Sequence, residues 1–197
     1  VRLAGRLRAL RRSERGFTLI ETLASMTILM TVMGGIAALM VSGTNAEVDM
    51  NRRFQAQTEA RLGLDKLRKD AHCSYNVALA GTPATIAGVA YYPTTTLSMS
   101  AACPTSGGGT TVTWCTVANG AGRYGLWRYL GGACSGTGRK VADYLTTQTA
   151  FSYTAPIAGS KELKQVGTLL PVNLTPTKTE RVYTLQDDLV LRNSVRA

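Results

Sequence analysis

The sequence predicts an α+β protein: a long N-terminal α-helix, with a membrane half and an amphipathic half, packed on an antiparallel β-sheet head. Three observations predict it. From Phe17 to Val41 a single charged residue, Glu21, stands in an otherwise uncharged and largely apolar tract. From Thr44 to His72 apolar residues recur at helical spacing, and no proline separates this run from the tract before it. Beyond Cys73 the helical period gives way to short runs of β-branched and aromatic residues divided by Gly, Pro and Asn-Gly turns. A chain of 197 residues, 45% hydrophobic and with mean hydropathy near zero, suits one globular domain plus one membrane helix. The expected divisions are a basic leader (1–16), a membrane and assembly helix (17–43), its amphipathic continuation (44–72) and a β-rich head (73–197).

The leader holds Arg2, Arg6, Arg8, Arg11, Arg12 and Arg15 against Glu14, half of the formal net charge of +10. Positive residues beside the first apolar segment hold that end in the cytoplasm, so the head is expected outside it. The tract itself is long enough as a helix to cross a bilayer core. Glu21 is its anomaly, because an ionised carboxylate in a membrane helix requires a partner. A cut between Gly16 and Phe17 would create one: the new α-amino group, with an unperturbed pKa of about 8, would lie four residues from Glu21. Between staggered neighbouring helices such a pair, in a low dielectric, would set register.

Gly16, Phe17, Thr18, Leu19, Ile20 and Glu21, preceded by Arg11, Arg12 and Arg15, resemble the type IV prepilin signature. In that family a basic leader ends in Gly, Phe usually follows, and Glu stands fifth after the cut. The resemblance implies cleavage after Gly16 and N-methylation of Phe17 by a prepilin peptidase. It also implies residence in the inner (cytoplasmic) membrane as a single-pass protein, then assembly with other pilin or pseudopilin subunits into a pilus or pseudopilus. Two other readings fit an Arg-rich stretch before an apolar tract. One is an ordinary membrane anchor with Glu21 snorkelling to the interface. The other is a secretory signal peptide cut near Thr44-Asn45-Ala46, although this tract exceeds the usual apolar region of about 7 to 15 residues.

Within the tract, Gly34-Gly35 would weaken a helix in water by about 1 kcal/mol per residue relative to Ala, yet small residues also permit close helix packing in lipid. Loosening on assembly and plain tolerance both remain open there. Many pilins carry a proline in this region; here Ala38 stands and no proline precedes Pro83. From Thr44 to His72 the expected buried stripe is Val48, Phe54, Ala60, Leu64, Leu67 and Ala71, with Asp49–Arg53 and Asp65–Lys69 in the favourable i to i+4 order. The charged remainder reads as a solvated face. A continuous helix of about 55 residues would be roughly 80 Å long. Leaning on a folded head along its second half, it would give the lollipop layout of pilins.

Strands are expected over 84–92, 95–101, 110–117, 124–130, 149–154, 168–174 and 181–191. The clearest hairpin joins Thr111–Cys115 to Tyr124–Leu130 through a turn at Asn119–Arg123. The segment Arg181–Ser194 resembles the terminal strand of minor pilins and pseudopilins of the PilW and GspJ kind. Cys73, Cys103, Cys115 and Cys134 all lie beyond the membrane tract. An even number in an oxidising compartment points to two disulfides, and three connectivities are open; Cys73–Cys103 with Cys115–Cys134 is favoured because each closes a local loop. Major pilins often close a late cysteine loop, whereas no cysteine follows Cys134 here, which favours a minor component.

Zinc fits poorly, since the spacings lack Cys-x-x-Cys and the one histidine, His72, adjoins Cys73. No metal or cofactor is expected. Nucleophile-elbow and phosphate-loop motifs are absent, and the adjacent acids Asp187-Asp188 would diverge on a strand, so the chain is not expected to be an enzyme. A binding module for DNA uptake or adhesion is the competing function. Arg123, Arg128, Arg139 and Lys140 lie near Trp114, Tyr124, Trp127 and Tyr129 in the head, an interleaving suited to base stacking and phosphate contact if it forms one surface.

Overall fold

The computed structural model describes residues 18–101, 103, 110–120, 122–157, 161–174 and 182–194. The chain divides into two units, Val1–Asp49 and Met50–Ala197. Among the described residues one helix, α1 (Leu19–Cys73), contributes to both. It is followed by ten strands: β1 (Ser74–Ala80), β2 (Ala84–Ile86), β3 (Val89–Tyr91), β4 (Thr94–Met99), β5 (Thr111–Ala118), β6 (Tyr124–Leu130), β7 (Gly138–Leu145), β8 (Phe151–Thr154), β9 (Gln165–Val172) and β10 (Tyr183–Val190).

In the first unit every described residue from Thr18 to Val48 is exposed. Large apolar side chains are among them, with Leu19 at 79%, Met30 at 73% and Leu39 at 75% exposure. The hydroxyls in this apolar surface bond back to the helix's own carbonyls: Thr22 to Leu19 O (2.9 Å), Ser25 to Thr22 O (3.0 Å), Thr27 to Ala24 O (2.8 Å) and Thr31 to Ile28 O (2.8 Å). Such bonding satisfies groups that hydrocarbon could not. Among the described residues this is the one helix long and apolar enough to cross a membrane.

The second unit is built on an antiparallel sheet in the order β1-β4-β5-β6-β7-β9-β10, with β8 also on β9. β7 and β8 share one edge of β9, at its Val172 end and its Gln165–Thr168 end respectively, while β10 pairs along the other. The hairpin β5–β6 has Val112 opposite Leu130 and Ala118 opposite Tyr124. Its turn is closed by Asn119 N–H to Arg123 O (2.8 Å), with Gly120 at φ 74°.

The helical residues Met50–Cys73 pack on this sheet. Their buried side comprises Ala56, Ala60, Gly63, Leu64, Leu67, Asp70 and Ala71, joined in one core to Leu97, Val112, Trp114, Leu126, Ala142, Phe151, Leu170 and Leu189. The stripe differs from the expected one: Val48 and Phe54 are exposed, Phe54 at 70%. Each lies roughly 120° round the helix from Ala60 at 3.6 residues per turn, so neither can share its face. The contact is made instead through small residues. A Cβ on Gly63 would come to 3.4 Å from Ala142 Cβ and 3.5 Å from Leu126 and Val141 side-chain atoms, showing how closely the helix approaches β6 and β7.

Three strand expectations need correction. β1 and β7 were not anticipated. The run 84–92 is a two-stranded hairpin, β2–β3, because Ala87 (φ 50°) and Gly88 (φ 82°) turn the chain between Ile86 and Val89. Positive φ at both loop positions is the backbone of a two-residue hairpin turn.

Candidate functional site

The first candidate site lies at the start of α1. Gly16 and Phe17 lie outside the described residues. Thr18 is the residue before the helix, and Glu21 reaches back to it: Thr18 N–H and Thr18 Oγ1–H both donate to Glu21 Oε2, at 3.1 and 3.0 Å. Glu21 N–H in turn points to Thr18 Oγ1 at 3.4 Å and bonds Thr18 O at 3.0 Å. This is a reciprocal capping box, the Thr-x-x-Glu pattern that satisfies the free N–H groups of a helix start. The sequence signal for it is Thr18-Leu19-Ile20-Glu21 itself. The carboxylate thus has an intrachain role, bonding Thr18.

The four cysteines form two disulfides, Cys73–Cys103 and Cys115–Cys134. The first ties the end of α1 to the segment after β4; the second ties β5 to the segment after β6. Asn193 donates to Cys73 O at 3.0 Å, bringing the C-terminal segment to the same helix end.

Helix and sheet are joined by charge as well as packing. Asp70, 2% exposed, accepts Trp114 Nε1–H at 3.0 Å, Arg128 Nε–H at 2.7 Å and an Arg128 Nη2–H at 3.2 Å. Arg68 donates to Asp187 through Nη2 (2.6 Å) and Nε (3.2 Å), and through Nη1 to Asp65 (2.9 Å). Asp65 is thus paired with Arg68 rather than with the expected Lys69, because Arg68 is already directed toward β10. The hydrogen bond to Asp187 is the main reason the Arg68 guanidinium has a raised pKa. Asp188, the next residue, is exposed, so the two aspartates diverge along the strand.

The four basic residues suggested as a binding surface stand in different surroundings. Arg128 and Arg139 stand directly opposite each other on β6 and β7. Lys140 pairs with Asp143 at 2.7 Å. Burial pushes the Asp143 carboxyl up, but Lys140, the Tyr144 N–H and Asn119 together outweigh it and its pKa is lowered. Arg123 donates to Leu174 O at 2.5 Å, and its guanidinium lies 5.4 Å from the centroid of the Tyr144 ring. Trp114 is fully buried, while Trp127 stacks on Tyr129 at 6.2 Å. No continuous ladder of alternating aromatic and basic groups results. Among the described residues no group of three or more His, Cys, Asp or Glu could hold a metal ion.

Two lysines of the charged helix face meet the sheet's arginines. Lys66 and Lys69 of α1 line a surface cavity of about 200 Å³ with Asp70, Arg128, Arg139 and Val141. The only available signal was their i to i+3 spacing, which gives no information about the strands opposite.

Comparison with known proteins adds one match: residues 11–37 fit the family model of the prokaryotic N-terminal methylation motif. No curated protein and no solved structure gives a significant match.

Proposed function

We infer that the chain is a minor type IV pilin or pseudopilin, a structural subunit rather than an enzyme. The observation that carries this reading is the methylation motif over residues 11–37, which leads directly into an apolar helix exposed on every side. Thirteen large apolar side chains between Leu19 and Val41 are at least half exposed. At about 1.5 kcal/mol each, covering them is worth on the order of 20 kcal/mol, so a bilayer or neighbouring helices must enclose this segment. On this reading residues 1–16 are the leader, removed after Gly16 by a prepilin peptidase. Phe17 becomes the N-methylated first residue. The chain resides in the inner membrane with its head outside the cytoplasm, then joins other subunits in a pilus or pseudopilus.

Glu21 would serve twice. In the isolated chain it caps its own helix through Thr18; in the filament it meets the α-amino group of a neighbouring subunit. The two roles separate by substitution. Glu21→Gln keeps an oxygen acceptor for Thr18, since Gln also closes a capping box, but removes the charge. Glu21→Val removes both. The assembly reading expects both variants to enter sheared filaments poorly while their heads remain folded. Normal incorporation of Glu21→Gln would show that capping alone explains the residue and would remove the proposed charge pair.

A further inference from the structure

We propose that the second unit carries a binding site for phosphate groups in the cavity bounded by Lys66 and Lys69 of α1 and Arg128 and Arg139 of the sheet. Four cationic side chains converge on a space of about 200 Å³, and among the described residues the one acid lining it is Asp70. Asp70 is committed inward, to Trp114 and to Arg128. The cavity therefore carries a formal charge of +3. Among the described residues, Lys66, Lys69 and Arg139 take part in no salt bridge.

This arrangement concentrates like charge. Arg128 and Arg139 are direct cross-strand partners, and like charges directly opposite one another destabilise a sheet. Lys66 and Lys69 are three residues apart on α1, on the side that adjoins these strands, so two more positive charges face the same space. Lys140, beside Arg139, is neutralised by Asp143, and Arg68, beside Lys69, by Asp187 and Asp65. The chain thus pairs the neighbouring cations, and Arg128 with Asp70, and leaves the charges of Lys66, Lys69 and Arg139 in excess among the described residues. A multiply charged anion removes the repulsion.

The donor set suits phosphate. A phosphomonoester carries about −1.5 to −2 near pH 7 and three acceptor oxygens, and successive diesters carry one charge each. Guanidinium forks and mobile ammonium groups around a bowl match oxygens arranged tetrahedrally. Asp70 contributes by holding the Arg128 guanidinium in place. The source of the phosphate is a compact phosphoryl compound or a phosphodiester chain. The inference rests on the second unit alone, helix and sheet together, and is independent of the assembly reading.

The test uses the full chain in non-ionic detergent, with anisotropy of a labelled oligothymidylate and competition by pyrophosphate. Residues 1–16 contribute the same background to every variant, so the comparison is between variants. Lys69→Glu and Arg139→Glu are each expected to weaken binding about tenfold or more. Lys161→Glu, the same charge change at an exposed site outside the cavity, should weaken it less than about threefold. Three neutralised phosphates give a salt slope near −2, or about a twentyfold loss between about 50 and 200 mM. Displacement by micromolar pyrophosphate identifies a compact phosphoryl ligand. Displacement by unlabelled oligonucleotide alone identifies the chain; both results support the site. Equal losses in Lys69→Glu and Lys161→Glu would overturn it. So would equal competition by polyglutamate at matched charge, or no binding of either probe.

Discussion

Replacing Asp70 by Ala should destabilise the second unit more than any single change on the exposed face of α1. Its carboxylate is almost completely buried and accepts three hydrogen bonds, one from a fully buried tryptophan and two from an arginine whose side chain is 21% exposed. Breaking a buried ion pair by removing one partner costs about 3–5 kcal/mol, and a buried indole N–H without an acceptor about 1–3 kcal/mol. These figures overlap, and Arg128 retains some contact with water, so the lower part of the first range applies: about 3–4 kcal/mol. That is a factor of more than about a hundred in the unfolding equilibrium. Arg128→Ala should cost a similar amount by leaving Asp70 charged and buried. The double variant removes both charges and should be less damaged than the sum by about 2 kcal/mol. Urea titration in non-ionic micelles, followed by tryptophan emission, measures all three. Single-variant losses below about 1 kcal/mol, or strict additivity, would refute the view that this pair fixes the helix to the sheet.

Three further outcomes follow from the same structure. Replacing the Cys73–Cys103 or Cys115–Cys134 pair by serines opens loops with sequence separations of 30 and 19, and each should cost roughly 3–4 kcal/mol on the chain-entropy account, read as a lowered urea midpoint with and without reductant. Gly63→Ala should be close to neutral, since its Cβ finds neighbours at 3.4–3.5 Å and Ala favours helix, whereas Gly63→Leu should overpack the contact with β6 and β7 by about 1–3 kcal/mol. Asp143 has a lowered folded pKa, so its stabilisation is fully present above the unfolded carboxyl value of about 3.9 and is lost as pH falls through the folded value. The stability gap between wild type and Asp143→Asn should therefore be constant from pH 7 to about 5 and close below about 4; a gap that widens in acid would reverse the assigned sign.

What the sequence revealed depended on how local the controlling physics was. The helix, its apolar half and the β5–β6 hairpin each arise from periodicity or turn residues within one stretch, and each was legible. β1 was not, because Ser74–Ala80 begins directly after Cys73 with no turn residue between them; the chain reverses where Ser74 Oγ–H donates to Ala71 O and the Cys73–Cys103 bridge anchors the helix end. β7 was hidden by Arg139, Lys140 and Asp143, charged residues that make a strand resemble a loop. Its position depends on pairing with β6 and on Tyr144 holding φ 65°. The hairpin β2–β3 lacked the usual Asn-Gly signal because Ala87 occupies the first positive-φ position. The buried stripe of α1 was misjudged from side-chain size: the helix presents Ala and Gly to the sheet and leaves Phe54 outside. Asp70 and the basic cavity depend on strands roughly 60 residues later in the chain, a relation that no helical pattern encodes.

The central claim is that this chain enters the pilin pathway by cleavage and methylation at Phe17. Intact-mass and N-terminal analysis of the protein from its native membrane, with and without the prepilin peptidase, tests it directly. A mature chain beginning at N-methylated Phe17 only when the peptidase is present is the predicted result. An uncut chain, or one beginning after Ala46, would contradict it and leave a simply anchored or secreted binding domain as the account of the molecule.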